Sequence, residues 1–199
     1  MLNLDEFYKA RYVLSKILRH TELVSAPKLN PESQIYLKPE NLQITGSFKI
    51  RGAYYKSLIC LPEGAPISKV EATRRLGADI CLVPGVYDDA YQRALQLRDE
   101  HGYTFIHPFN DEHVIAGQGT IGLELLEQLP DVEAVVVPIG GGGLISGVAY
   151  AMKMLNPKIK IYGVQAAGAP SMFDSIRDHK PETLEHVSTI ADGIAVKTP

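Results

Sequence analysis

Three features of the sequence predict an α/β fold with parallel sheets and flanking helices. From Leu58 onward, short apolar runs alternate with helical periods. Ala134-Val-Val-Val-Pro138 is a continuous apolar run, the pattern of a parallel strand buried on both faces. Four glycines, Gly140 to Gly143, stand where that strand gives way to a helix, the junction of a βαβ unit.

The elements follow in order. Residues 5–18 read as an amphipathic helix anchored by Phe7, Val13, Leu14, Ile17 and Leu18. Residues 21–31, with two prolines, read as a loop, and the alternation of Gln34 to Lys38 as a strand stopped by Pro39. Ser47 is a candidate cap for a helix beginning near Phe48 and running through Ile50, Ala53 and Tyr54. Leu58 to Leu61 is a strand, Ser68 to Leu76 a helix closed by Gly77, and Asp79 to Val83 a strand. Tyr87 to His101 is a helix ended by Gly102, and Tyr103 to Ile106 a further strand. Val114 to Leu129 is a helix whose Gly117, Gly119 and Gly122 predict close packing against another backbone. After the glycine run come a helix over 144–155, a strand over 160–165 and a short helix over 169–179.

Composition narrows the class. The chain of 199 residues carries a net charge of -3 with no basic run, so nucleic acid is not an expected partner. No apolar run reaches the roughly 18 residues of a membrane span, and the first residues lack a signal-peptide pattern, so a cytoplasmic location is expected. Cys60 and Cys81 each lie inside an apolar run and are expected to be buried, reduced thiols. His20, His101, His107, His113, His179 and His186 show no metal-ligand spacing, and no metal site is expected.

Two stretches carry chemistry. A glycine run at a strand-to-helix junction lets backbone N–H groups and the helix dipole hold a phosphate. No Lys-Ser or Lys-Thr follows it, so it is not a P-loop. The dinucleotide spacing fails in every register: its third glycine would fall on Ile145 or Ser146, or its second on Leu144. A smaller phosphorylated cofactor fits better. The second stretch, Gly46-Ser47-Phe48-Lys49-Ile50-Arg51-Gly52-Ala53, sets Lys49 between apolar neighbours and close to Arg51. A lysine whose pKa falls in such surroundings can form a Schiff base with an aldehyde.

Together with Pro138-Ile-Gly-Gly-Gly-Gly-Leu144, this stretch resembles the fold-type-II pyridoxal-phosphate enzymes, the tryptophan synthase β-like class. Within them it is most similar to the threonine dehydratases (threonine ammonia-lyases), with serine racemases and serine dehydratases as near relatives. Lys38-Pro-Glu-Asn-Leu-Gln43, Leu61-Pro-Glu-Gly-Ala-Pro-Ile-Ser-Lys-Val70, residues 114–124 and Ile190-Ala-Asp-Gly-Ile-Ala-Val-Lys197 carry the same resemblance. Residues 164–172 favour the dehydratases, since racemase-like members tend to have an acidic metal ligand where this chain has Gln165.

The resemblance implies pyridoxal 5'-phosphate as cofactor. Lys49 would bind it covalently and move the Cα proton, Phe48 would pack beside it, and Gly140, Gly141, Gly142, Gly143 and Leu144 would bind its phosphate through backbone N–H groups. It implies β-elimination of L-threonine, and of L-serine, to 2-oxobutanoate or pyruvate and ammonia. It also implies an effector site, for a nucleotide or an amino acid, lined by Ile44 and Thr45, and a homodimer or homotetramer. Racemisation on the same frame and a non-catalytic fragment that binds cofactor or effector are the alternatives. Two lobes are implied: residues 1–56 with 113–199 as the larger, cofactor-binding lobe, and 57–112 as the smaller.

The sequence also departs from the family. The Ser-x-Gly-Asn-His loop that holds the substrate carboxylate has no counterpart, since Tyr54-Tyr-Lys-Ser57 runs straight into Leu58-Ile-Cys60 with no turn residue between. The family also continues well past the Ala-Asp-Gly-Ile stretch. The expectation is an incomplete fold, with a segment missing near 57/58 and a C-terminal part absent.

Overall fold

The computed structural model describes residues 2–53, 58–75, 79–85 and 87–199. Among these, chain contacts define two compact units, Met1–Val13 with Pro108–Pro199, and Leu14–His107. The lobes expected from the sequence were divided instead at 56/57 and 112/113.

In the first unit, helix α1 (Leu4–Leu14) is shorter than the expected 5–18. Its end turns back, with the N–H groups of Ile17 and Leu18 both donating to the Leu14 carbonyl at 3.0 and 2.8 Å. Phe7 on α1 is fully buried with Ala116, Leu123 and Ala151, and its ring stacks on Tyr150 at 5.3 Å between centroids. The central helix α5 (Glu112–Gln128) starts at Asp111, whose carboxylate accepts from the N–H groups of His113 and Val114. Strand β5 (Ala134–Pro138) leads through the glycine run into α6 (Gly143–Leu155), then to β6 (Lys160–Val164), which pairs with β5 in parallel. Helix α7 (Ser171–Asp178) and a 3-10 turn at Asp192–Ile194 complete the unit.

Of the glycines expected to allow close packing, Gly119 and Gly122 do so where α5 meets α6. A Cβ on Gly119 would meet the Phe7 ring and the Gly147 carbonyl, and one on Gly147 would meet the Ile115 carbonyl and the Gly119 N–H. Strand β5 corrects the expectation of burial on both faces. Val137 is buried, but Val136 is 62 % exposed and its ladder partner Tyr162 51 %. Among the described residues, β5 and β6 form a two-stranded sheet whose 134, 136 and 138 face stays open.

In the second unit, β1 (Val24–Ser25) pairs antiparallel with β2 (Tyr36–Leu37). The expected loop over 21–31 thus contains a short strand, and the strand expected over 34–38 pairs at only two residues. Helix α2 (Ile50–Ala53) begins two residues after Phe48. Strand β3 (Leu58–Pro62), helix α3 (Ile67–Arg75) and strand β4 (Asp79–Val83) make a parallel βαβ unit, against which α4 (Tyr87–His101) packs. Tyr54 and the junction near 57/58, with Leu76 and Gly77, lie outside the described residues.

The strand expected at Tyr103–Ile106 is absent. Gly102, at φ +69, ends α4, and the alternating residues that follow find no strand partner among the described residues. They pack as rings instead: Phe105 meets Tyr91 of α4 edge-on at 5.5 Å. Alternation makes an extended segment; only a neighbour with free backbone groups makes it a strand. No helix among the described residues is long and apolar enough to cross a membrane.

Candidate functional site

The glycine run of the first unit is built for close approach. Gly142 precedes α6 at φ +94, a conformation that side chains other than glycine rarely adopt. A Cβ on Gly141 would lie 2.5 Å from the Phe109 ring, and one on Gly143 would lie 2.8 Å from the Phe109 carbonyl oxygen. A Cβ on Gly140 would come within 3.2 Å of Ile194 and Val196. Packing alone therefore explains why these positions are glycine. It does not explain the polar groups. The first N–H groups of a helix have no acceptor within it, and no side chain caps α6. The Gly142 carbonyl accepts from Ser146 N–H at 3.0 Å, so the 13-residue helix is regular from its first turn. Gly142 and Gly143 are buried, while Gly140, Gly141 and Leu144 are half-buried. An uncapped helix start, narrowed by glycines, at the end of a parallel strand suits a phosphate held by backbone amides. The residues present fit the phosphate end of pyridoxal phosphate.

The sequence reading did not single out the residues that wall this turn: Phe109, Met172, Ile194 and Val196. Ile194 and Val196 had a signal inside the 190–197 stretch and Met172 at the end of the 164–172 stretch, while Phe109 had none. Buried Ser171, at the start of α7, donates through Oγ to the Val196 carbonyl at 3.1 Å and ties that stretch down. Gln165, after β6, accepts through Oε1 from the Phe173 N–H of α7 at 2.8 Å, while its Nε2 is buried with no partner.

In the second unit, Phe48 and Lys49 form the turn that feeds α2. Their carbonyls accept from Arg51 and Gly52 N–H groups at 2.9 and 3.2 Å. The cap expected at Ser47 lies too early in the chain for a helix starting at Ile50; its carbonyl accepts instead from Thr45 Oγ1 at 3.3 Å. Lys49 is exposed, with Nζ 4.9 Å from the centroid of the half-buried Phe48 ring, a cation–π contact. Ile44 is exposed and Thr45 half-buried. Buried Gln43 beside them bonds both main-chain groups of Arg19: Nε2 donates to its carbonyl at 2.6 Å and Oε1 accepts from its N–H at 3.2 Å.

What fixes the lysine turn is the residue two places on. Arg51 is 2 % exposed, and its Nε and Nη2 donate to the two carboxylate oxygens of Glu40, each at 2.8 Å. Thr21 Oγ1 adds a bond to Glu40 Oε1 at 2.7 Å. This two-pronged pair binds α2 to the 3-10 turn Glu40–Leu42. The two sequence-predicted groups thus fall in different units, Lys49 with Phe48, Ile44 and Thr45 in one and Gly140 to Leu144 in the other. No cluster of three metal-ligating side chains occurs among the described residues.

Comparison with known proteins agrees with the fold. L-threonine ammonia-lyase of Thermotoga maritima is 44 % identical across the whole chain. That alignment needs 236 positions for 199 residues, so the relative has a few tens of residues with no counterpart here. The chain spans 59 % of that relative's length. The processed form of threonine deaminase isoform 2 from Solanum lycopersicum superposes with a TM-score of 0.85 at 34 % identity, over 98 % of this chain and 64 % of that one. Maize serine racemase superposes with a TM-score of 0.86 at 31 % identity, over 98 % and 70 %. The family model for pyridoxal-phosphate dependent enzymes matches residues 54–199, and the chain belongs to that family.

Proposed function

We propose that this chain carries the cofactor-holding residues of an ammonia-lyase that eliminates the β-hydroxyl of L-threonine, and of L-serine, to give 2-oxobutanoate or pyruvate and ammonia. The observation that carries the reading is the uncapped, glycine-lined start of α6 in a chain 44 % identical to a threonine ammonia-lyase. Backbone N–H groups of Gly140 to Leu144 hold the phosphate of pyridoxal 5'-phosphate. Lys49 would hold its aldehyde carbon through Nζ, with Phe48 beside it. When bound, the cofactor draws electrons from the Cα of an amino acid. Lys49 Nζ would accept the Cα proton, and the β-hydroxyl, on taking up a proton, would leave the neighbouring carbon as water. Arg51 and Glu40 hold the turn that aims Lys49.

The reading extends to lobes over 1–56 with 113–199 and over 57–112, to an effector edge at Ile44 and Thr45, and to a homo-oligomer. Racemisation draws support from the maize serine racemase likeness. Elimination is favoured because Gln165 spends its side-chain oxygen on α7, and its amide nitrogen is a poor neighbour for a cation.

The test is a visible absorption spectrum of the purified protein with pyridoxal phosphate, before and after threonine, beside a Lys49→Ala variant. A Schiff-base band that needs Lys49, shifts with threonine and is followed by keto acid supports the lyase. A Lys49-dependent band with no keto acid leaves a cofactor-binding chain without turnover. No band with either protein overturns the assignment.

A further inference from the structure

Cys60 and Cys81 stand directly opposite one another in the parallel ladder of β3 and β4. Paired residues of parallel neighbours point to the same face, so the two thiols face one another across the ladder. The expected full burial of both is corrected: each is half-buried. We propose that Cys60 and Cys81 are a reversible dithiol–disulfide pair, a modification site for a small-molecule disulfide such as oxidised glutathione.

The geometry admits the bond. Adjacent strands lie about 4.7–4.9 Å apart, inside the roughly 4.4–6.8 Å range of Cα separations that a disulfide spans. Cβ atoms held at strand spacing are wider apart than the ~3.8 Å usual in a disulfide, so the bridge pulls β3 and β4 together and is easily reduced. Arg93 of α4 sits where its charge favours the Cys60 thiolate. Burial first, and the Cys81 sulfur second, push the Cys60 thiol up to about 11, so the pair rests protonated at neutral pH and reacts only when one proton is lost.

The exchange is balanced. One cysteine thiolate attacks a sulfur of oxidised glutathione and releases one glutathione thiolate. The second cysteine, losing its proton, attacks the protein sulfur of the mixed disulfide and releases the second glutathione. The protein gives up two protons and two electrons, and the glutathione disulfide accepts both.

The experiment incubates the purified chain with oxidised glutathione at neutral and mildly alkaline pH, quenches with acid, alkylates in denaturant and digests with trypsin. The expected result is loss of both titratable thiols and a linked pair of peptides, residues 57–69 with 76–93, that dithiothreitol separates. Cys60→Ser and Cys81→Ser variants should each stop at one glutathione per chain. A wild-type protein that stops at glutathione adducts, forms a bond only between chains, or reacts only in urea overturns the proposal.

Discussion

Glu40 and Arg51 show how much one buried pair can govern. Arg51 is sealed from water, so removing Glu40 takes away the carboxylate that faces its buried charge. Glu40→Ala should therefore cost about 3–5 kcal/mol in urea unfolding. Glu40→Gln keeps an acceptor for Thr21 and Arg51 and should cost clearly less. Equal losses would mean that the neutral acceptor kept by Gln contributes nothing and that the carboxylate charge carries the whole effect. The Cys60 thiol offers a second check. Its raised pKa favours the protonated form in the folded state, so that contribution is intact below the ordinary value of 9.0 and is lost as pH rises toward about 11. Ultraviolet titration of the thiolate should place Cys60 lower in Cys81→Ala, though still above 9.0 because burial remains. The Lys49 stretch stood out because Gly-Ser-Phe-Lys-Ile-Arg-Gly-Ala is a contiguous word. The Glu40 partner did not, because a contact eleven residues away has no local period to betray it.

Among the elements, those with a strong internal signal were read to the residue. Asp79–Val83, Ala134–Pro138 and Tyr87–His101 have apolar periods bounded by glycine, proline or charge, and the structure starts and stops them there. Elements that depend on a partner were not. Val24–Ser25 becomes a strand only because Tyr36–Leu37 lies beside it, and Tyr103–Ile106 fails to become one for want of such a neighbour. The glycines of α5 were legible as a packing device, but not their counterpart, Gly147 of α6. A methyl group there would press on the Ile115 carbonyl and the Gly119 backbone, neither of which can yield without parting the helices. Gly147→Ala should lower stability by roughly 1–3 kcal/mol in thermal or urea unfolding, despite alanine's better helix propensity. An unchanged or raised midpoint would show that α5 and α6 separate without cost, contrary to the packing seen here.

At the scale of the whole molecule, the β5–β6 sheet departs furthest from what its composition requires. Parallel sheets are normally covered on both faces, and here Val136, Tyr162 and Val164 share an open one. The sequence made the apolar run plain, but whether a strand is covered depends on residues far from it. The chain spans 59 % of the Thermotoga maritima relative, so that protein has more residues with which to cover such a sheet. For the 199-residue chain the consequence is direct: apolar surface in an ordered patch should bind an environment-sensitive dye such as anilinonaphthalene sulfonate. Val136→Thr with Val164→Thr keeps β-branched side chains on the sheet while removing much of its apolar character. That double variant should fall well below the parent in dye fluorescence, with the circular dichroism of the fold retained. A signal that does not fall would mean that these side chains are shielded in solution, and that the dye reports a different surface.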